Sequence, residues 1–238
     1  CIAFYVEDGT ASYFRFEGKM QALSKRLEGR IKMVLYGRWF DRPHVIGTSK
    51  YIDKCMFSYP TLILKGYEKS VVDRFPSECF LDSRVQAVVN RICEINGFDF
   101  SRLEICSALV ILPRIKEIDR YYGSIKALFD FLNNLKDSGH TVAIKYHPRD
   151  AFGCEQLNDI DGLVIVPTFL PIEMVYSRLH SNAIILGDLS SALFTARWLL
   201  PAADVYAIGD RSRVPAVNIT SLFKKVGVKM LSMDELSE

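Results

Sequence analysis

Three short clusters in this sequence bring together side chains that can move a proton or hold a phosphate. They are Glu7-Asp8-Gly9-Thr10, Lys145-Tyr146-His147-Pro148-Arg149-Asp150 and Gly187-Asp188-Leu189-Ser190-Ser191. In the first, two adjacent carboxylates stand before a glycine that lets the backbone approach a substrate closely, which suits a general base. Asp-Gly is also a common turn pair, so a polar turn is the other reading. In the second, an imidazole with an ordinary pKa near 6.5 can donate to a leaving group. Lys145 and Arg149 add positive charge where a phosphate could sit. The alternative is a plain loop histidine before a proline. In the third, Ser190 or Asp188 can cap a helix, while Ser191 and the free N–H groups beside it suit a phosphate.

Each cluster follows a run of apolar residues. Residues 106–112 form a continuous apolar run, the mark of a strand covered on both faces. A helix is expected over 121–138, with Ile125, Leu128, Phe129, Leu132 and Leu135 on one face and Gly139 as its stop. Strands follow at 141–146, 163–166, 183–186 and 204–208, and helices at 171–180, 190–200 and 219–225. This alternation predicts βαβ units and a parallel, Rossmann-like sheet. Ligands bind beyond the carboxyl ends of such strands, so the second and third clusters stand where a site would form.

The first hundred residues are less regular. Residues 2–6 read as a buried strand, 17–28 as a helix, and 31–36 and 61–64 as strands. Residues 82–96 read as a helix with Val85, Val88, Val89 and Ile92 on one buried face. The expected division is an N-terminal α/β domain over 1–103, carrying the first cluster, and a Rossmann-like domain over 104–238. The chain opens at Cys1, directly on a strand, which reads as a processed or truncated start.

Composition narrows the function classes. The 238 residues are 49% apolar and 24% charged, enough to bury a substantial core. A net charge of +2 gives no basic stripe for nucleic acid. No apolar run reaches membrane-spanning length. Six cysteines without a CxxC pair read as reduced thiols, pointing to the cytosol. There is no HExxH, P-loop, glycine-rich dinucleotide fingerprint or DxD-like metal pair, so no metal site or cofactor is expected. Glu173 at a helix start suits the helix dipole, or can accept from ribose hydroxyls. Trp39 can stack on a sugar or lie in the core. His44, His140 and His180 read as loop or helix-end residues.

Taken in order, the clusters resemble the motifs of bacterial sialyltransferases, closest to the polysialyltransferase and lipooligosaccharide branches. That family shares a D/E-D/E-G motif, an HP motif and a serine motif. Here they read Glu7-Asp8-Gly9, His147-Pro148 and Ser190-Ser191, spanning most of the chain. The resemblance implies a GT-B-like α/β fold, two Rossmann-like domains with parallel sheets facing a cleft, the N-terminal one incomplete here. It implies inverting, metal-independent transfer of sialic acid from CMP-sialic acid to a glycan hydroxyl, on a capsular or lipooligosaccharide acceptor.

By the same resemblance Asp8 is the base, with Glu7 as its rival, and His147 protonates or hydrogen-bonds the departing phosphate. Ser190 and Ser191 hold that phosphate, and Glu173 and Lys145 hold the CMP. Pro148 and Gly187 complete the donor-binding set. The implied location is cytoplasmic, with peripheral association at the inner face of the cytoplasmic membrane. Two other readings fit the same residues: a GT-B transferase using a UDP-sugar, and a non-catalytic nucleotide-binding module.

Overall fold

The structure is a computed structural model. It describes residues 2–7, 9–13, 31–37, 45–67, 70–150, 157, 160–209 and 217–232. The expected helix over 17–28, together with Asp8, Trp39 and His44, lies outside the described residues. The chain forms two compact units, Cys1–Pro76 and Ser77–Glu238.

The first unit holds three parallel strands in the order β1-β2-β3: β1 (Phe4–Val6), β2 (Lys54–Phe57) and β3 (Val71–Arg74). Cys55 and Phe57 of β2 are fully buried, and the Phe57 ring meets Tyr67 edge-on at 4.8 Å. Tyr5 packs directly over Gly47, where an added Cβ would lie 2.5 Å from the ring. Only glycine leaves that space, and its φ of +83° suits no other residue.

Several expectations fail in this unit. The first strand is not buried: Phe4 is 56% exposed, and Ile2 and Val6 are exposed with it. It lies at the sheet edge, where side chains alternate, so only Tyr5 turns toward the aromatic core. Residues 31–36 are helical, not a strand. A short apolar run has no period that separates the two, and the straight-chain Lys32, Met33 and Leu35 favour helix. Residues 61–64 are not a strand either. Pro60, with its fixed φ and missing N–H, opens a 3-10 helix over Pro60–Leu62. Strands β2 and β3 were not expected.

The second unit opens with α1 (Ser83–Ile95), capped by the Asp82 carboxylate accepting from the Arg84 N–H at 2.9 Å. Its buried side chains are Val89 and Cys93, whereas Val85, Val88 and Ile92 are exposed. The expected apolar face is therefore rotated. Polar residues share the inner face: Gln86 donates to Ser177 Oγ at 2.9 Å, and Asn90 accepts from Arg178 at 3.3 Å. These bonds tie α1 to the residues that follow it. The units accordingly divide at 76/77, where the sequence reading drew its line at 103/104.

Six strands make the larger sheet: β4 (Ala108–Ile111), β5 (Val142–Lys145), β6 (Val164–Val166), β7 (Ile184–Gly187), β8 (Asp204–Ile208) and β9 (Lys229–Leu231). All pair in parallel, in the order β6-β5-β4-β7-β8-β9. Every residue of β4 and β5 is buried, as their continuous apolar runs require. The strand not expected here is β9.

Helices α2 (Ile118–Tyr122), α3 (Ile125–Asp137), α4 (Ile172–Tyr176), α5 (Ser191–Leu199) and α6 (Val217–Lys225) connect the strands. The helix expected over 121–138 is thus two. Gly123, at φ +85°, breaks it, and Ser124 caps the second piece by accepting from the Ala127 N–H at 3.0 Å. Leu128, Phe131 and Leu132 of α3 then pack on β4 and β5. Each such buried side chain contributes about 1.5–3 kcal/mol. The helix expected over 171–180 is only the five residues of α4, with Pro171 as its cap. No described helix is long and apolar enough to cross a membrane.

Candidate active site

The sheet reverses direction of winding between β4 and β7, which are neighbours although β5 and β6 follow β4 in the chain. Open parallel sheets hold ligands at this switch point, beyond the carboxyl strand ends. A cavity of about 440 Å³ lies there, lined by residues that follow β4, β5, β6 and β7. It brings together Lys145, His147, Pro148, Glu173, Ser190 and Ser191.

The turn that carries His147 is tied at both sides. Leu112 N–H donates to Lys145 O at 2.9 Å, and Ile115 N–H donates to the Asp150 carboxylate at 3.0 Å. Asp150 N–H closes the turn on His147 O at 2.9 Å. Pro148, which lacks an N–H, cannot extend β5. Arg149 N–H donates to His147 Nδ1 at 3.1 Å. That bond makes Nδ1 the acceptor, so the neutral ring carries its hydrogen on Nε2.

Ser190 occupies the cap position of α5, but its side chain makes no capping bond. The hydroxyl is buried and has no hydrogen bond of normal geometry among the described residues. It lies near enough to the Asp188 carboxylate to hold that group's pKa down, against the larger effect of burial, which pushes it up. The nearness of His147 also pulls the Asp188 pKa down. Asp188 therefore lines the same site as His147, a placement the sequence, which suggests Asp188 only as a cap, does not reveal. Ser191 is exposed on the cavity wall, beside the N–H groups of the first turn of α5 that have no helical partner. Tyr176 at the end of α4 donates to Ala192 O at 2.8 Å and fixes the two helices together.

The other expected residues fall differently. Gly187 does not line the cavity. It ends β7 against β4, and a Cβ there would meet Ile111 O at 3.1 Å, so its role is close strand packing. Lys145 is 4% exposed, and its ammonium donates to Pro167 O at 2.8 Å and Thr168 O at 3.4 Å. Phe169 is 42% exposed at the cavity wall, a residue the sequence reading passed over. His140 and His180 lie outside the cavity and bond locally, to Ser107 Oγ at 3.0 Å and from Asn182 N–H at 3.2 Å.

In the first unit Glu7 follows β1, as expected. Its two carboxylate oxygens accept from Tyr13 OH and Ser58 Oγ, both residues buried. Burial pushes the Glu7 pKa up, more than those hydroxyls pull it down. Its neighbour Asp8 lies outside the described residues. Among the described residues no group of three or more His, Cys, Asp or Glu is placed to hold a metal ion.

The sequence model of the alpha-2,8-polysialyltransferase family matches residues 3–208. The chain belongs to the alpha-2,8-polysialyltransferase family. It is a bacterial-type sialyltransferase, hence a glycosyltransferase that takes a sugar-nucleotide donor and a glycan acceptor. The match runs through the Glu7 strand end, the cavity and β8. In fold this polysialyltransferase-family chain is similar to a solved alpha/beta-galactoside alpha-2,3-sialyltransferase from the luminous marine bacterium Photobacterium phosphoreum. The likeness has a TM-score of 0.59 at 12% identity and covers 99% of this chain and 72% of that one. No curated protein matches the chain.

Proposed function

We propose that this chain transfers sialic acid from CMP-sialic acid to a glycan hydroxyl, with inversion and without a metal ion. Asp8 takes the proton of the acceptor hydroxyl. The acceptor oxygen then bonds to the anomeric carbon as that carbon's bond to the phosphate oxygen breaks, and the electron pair leaves with CMP. Glu7 is the weaker candidate for the base, because both of its oxygens already accept hydroxyl bonds.

The observation that carries this reading is the one cavity that gathers His147, Pro148, Glu173, Ser190 and Ser191 at the switch point. Ser190, Ser191 and the first-turn N–H groups of α5 hold the phosphate. Glu173 accepts from the ribose hydroxyls. His147 donates to the departing phosphate from Nε2. The Arg149 N–H bond to Nδ1 orients the ring so that Nε2 is the nitrogen left to donate. CMP is a good leaving group, so positioning and charge stabilisation supply most of the rate. We place the protein in the cytoplasm, at the inner face of the membrane, acting on a capsular or lipooligosaccharide acceptor.

The test is release of CMP from CMP-sialic acid, with and without a sialylated acceptor, by wild type and His147→Ala. The variant is expected to release CMP about 100-fold more slowly or worse, the range for losing a positioned acid. Binding of a UDP-sugar in place of CMP-sialic acid would assign the donor differently. Equal release by both proteins would remove His147 from the mechanism.

A further inference from the structure

Among the described residues, Lys145 is the one buried side chain of a charged type. Buried ammonium groups are costly unless bonded. Here two of its three protons go to backbone carbonyls of the segment that leaves β6. Pro167 O accepts from Lys145 and also from Leu170 N–H at 3.2 Å, so this one carbonyl organises the turn. The turn continues into Phe169, Leu170, Pro171 and Ile172, which form an apolar wall of the cavity. Asp188, Ser190 and Ser191 supply polar lining at the end of β7.

We propose that Lys145 is a positioning residue: its buried ammonium ties the carbonyls of Pro167 and Thr168 to the end of β5, fixes the wall that presents Phe169, and does not contact the donor phosphate. The inference rests on the reading of the cavity as a nucleotide site. It assigns the phosphate to Ser190 and Ser191 and the base to the exposed Phe169 ring, on which a nucleobase can stack. Burial lowers the Lys145 pKa to about 8. The tether is therefore charge-assisted at pH 7 and weakens as pH rises through 8. Among the described residues the other charged or titratable groups lining the cavity are Tyr146, His147, Glu173 and Asp188.

The test begins without ligand. Hydrogen exchange at the amides of Thr168, Phe169, Leu170 and Ile172 is measured for wild type and for Lys145→Met, with Lys145→Gln as a second variant that keeps a donor. Exchange in Lys145→Met is expected to be about tenfold faster there and unchanged in α3, the size expected for losing a charged hydrogen bond, with Lys145→Gln between Met and wild type. Binding of CMP is then measured against salt and against pH from 7 to 9. Lys145→Met is expected to weaken CMP about tenfold without changing the salt dependence, and to remove the fall in wild-type affinity above pH 8. Unchanged exchange overturns the tether. So does a smaller salt dependence in Lys145→Met, which would mean direct contact with the phosphate. Faster exchange in proteins that never bind CMP would keep the tether and remove the nucleotide reading instead.

Discussion

Two strand ends in this protein carry polar residues of the kind that do chemistry, and they are built in opposite ways. At the end of β1, Glu7 is closed on itself, with one hydroxyl donating to each carboxylate oxygen. At the end of β7, Ser190 is open: its hydroxyl is buried, sits at a helix cap, and neither caps nor finds another full bond. Both follow parallel strands, and both motifs look alike as sequence. What separates them is satisfaction of hydrogen-bonding capacity. A polar group that the fold has already satisfied serves the fold. A buried one left without a partner at a cavity wall is held for something that arrives.

The largest effect should come from breaking the closed end. Glu7→Ala leaves the Tyr13 and Ser58 hydroxyls buried without their acceptor and is expected to cost about 3 kcal/mol, measured by urea unfolding. A loss below about 1 kcal/mol would mean that Glu7 is not the clamp described here. The pH dependence has a definite sign. Burial raises the Glu7 pKa above its value in the unfolded chain, so the folded state binds the proton more tightly. Its contribution is complete below the unfolded value near 4.3 and declines as pH rises through the higher folded one. The stability of wild type relative to Glu7→Gln should therefore shrink as pH rises from 4. A gap that widens with pH would contradict the burial assigned to this carboxylate.

A smaller effect tests whether the open end depends on tight packing beneath it. Gly187→Ala places a methyl group 3.1 Å from Ile111 O and 3.2 Å from Ile111 Cβ. The strand backbone has little room to yield, so a cost of about 2 kcal/mol is expected by thermal unfolding. Nucleotide affinity should fall as well, because β7 and β4 together set the base of the cavity. An Ala variant as stable as wild type would show that this contact relaxes freely.

How much of this was legible in the sequence differs between the same two regions. In the larger sheet, runs such as Ala108–Ile111 and Val142–Lys145 are buried on both faces, and their strand character follows from composition alone. The site residues after them could then be placed at strand ends by counting. In the first unit the strands are three or four residues long and only partly buried, so Ile2 and Phe4 looked like core and are not. The apolar run over 31–36 carried no period to distinguish helix from strand. In α1, hydrogen-bonded Gln86 and Asn90 take inner positions that a hydrophobic pattern assigns to valine. Lys145 shows the same limit at the site. Its charge next to His147 suggested a phosphate contact, and only the fold reveals two carbonyls within reach.

The finest test compares two serines at helix caps. Ser124 Oγ accepts from Ala127 N–H at 3.0 Å, whereas Ser190 makes no such bond at the start of α5. Ser124→Ala should therefore cost about 1 kcal/mol of stability, the usual loss for a working cap. Ser190→Ala removes a hydroxyl that makes no capping bond and only lies near the Asp188 carboxylate, so its effect on stability should stay within about 0.5 kcal/mol. Affinity for CMP should show the reverse order. Ser190→Ala is expected to weaken it about tenfold, the size of a hydrogen bond to a charged group, and Ser124→Ala to leave it unchanged. Equal stability losses in the two variants would mean that Ser190 caps α5 in solution. The serine pair would then be a fold device, like Glu7, and the open strand end would lose its claim on the phosphate.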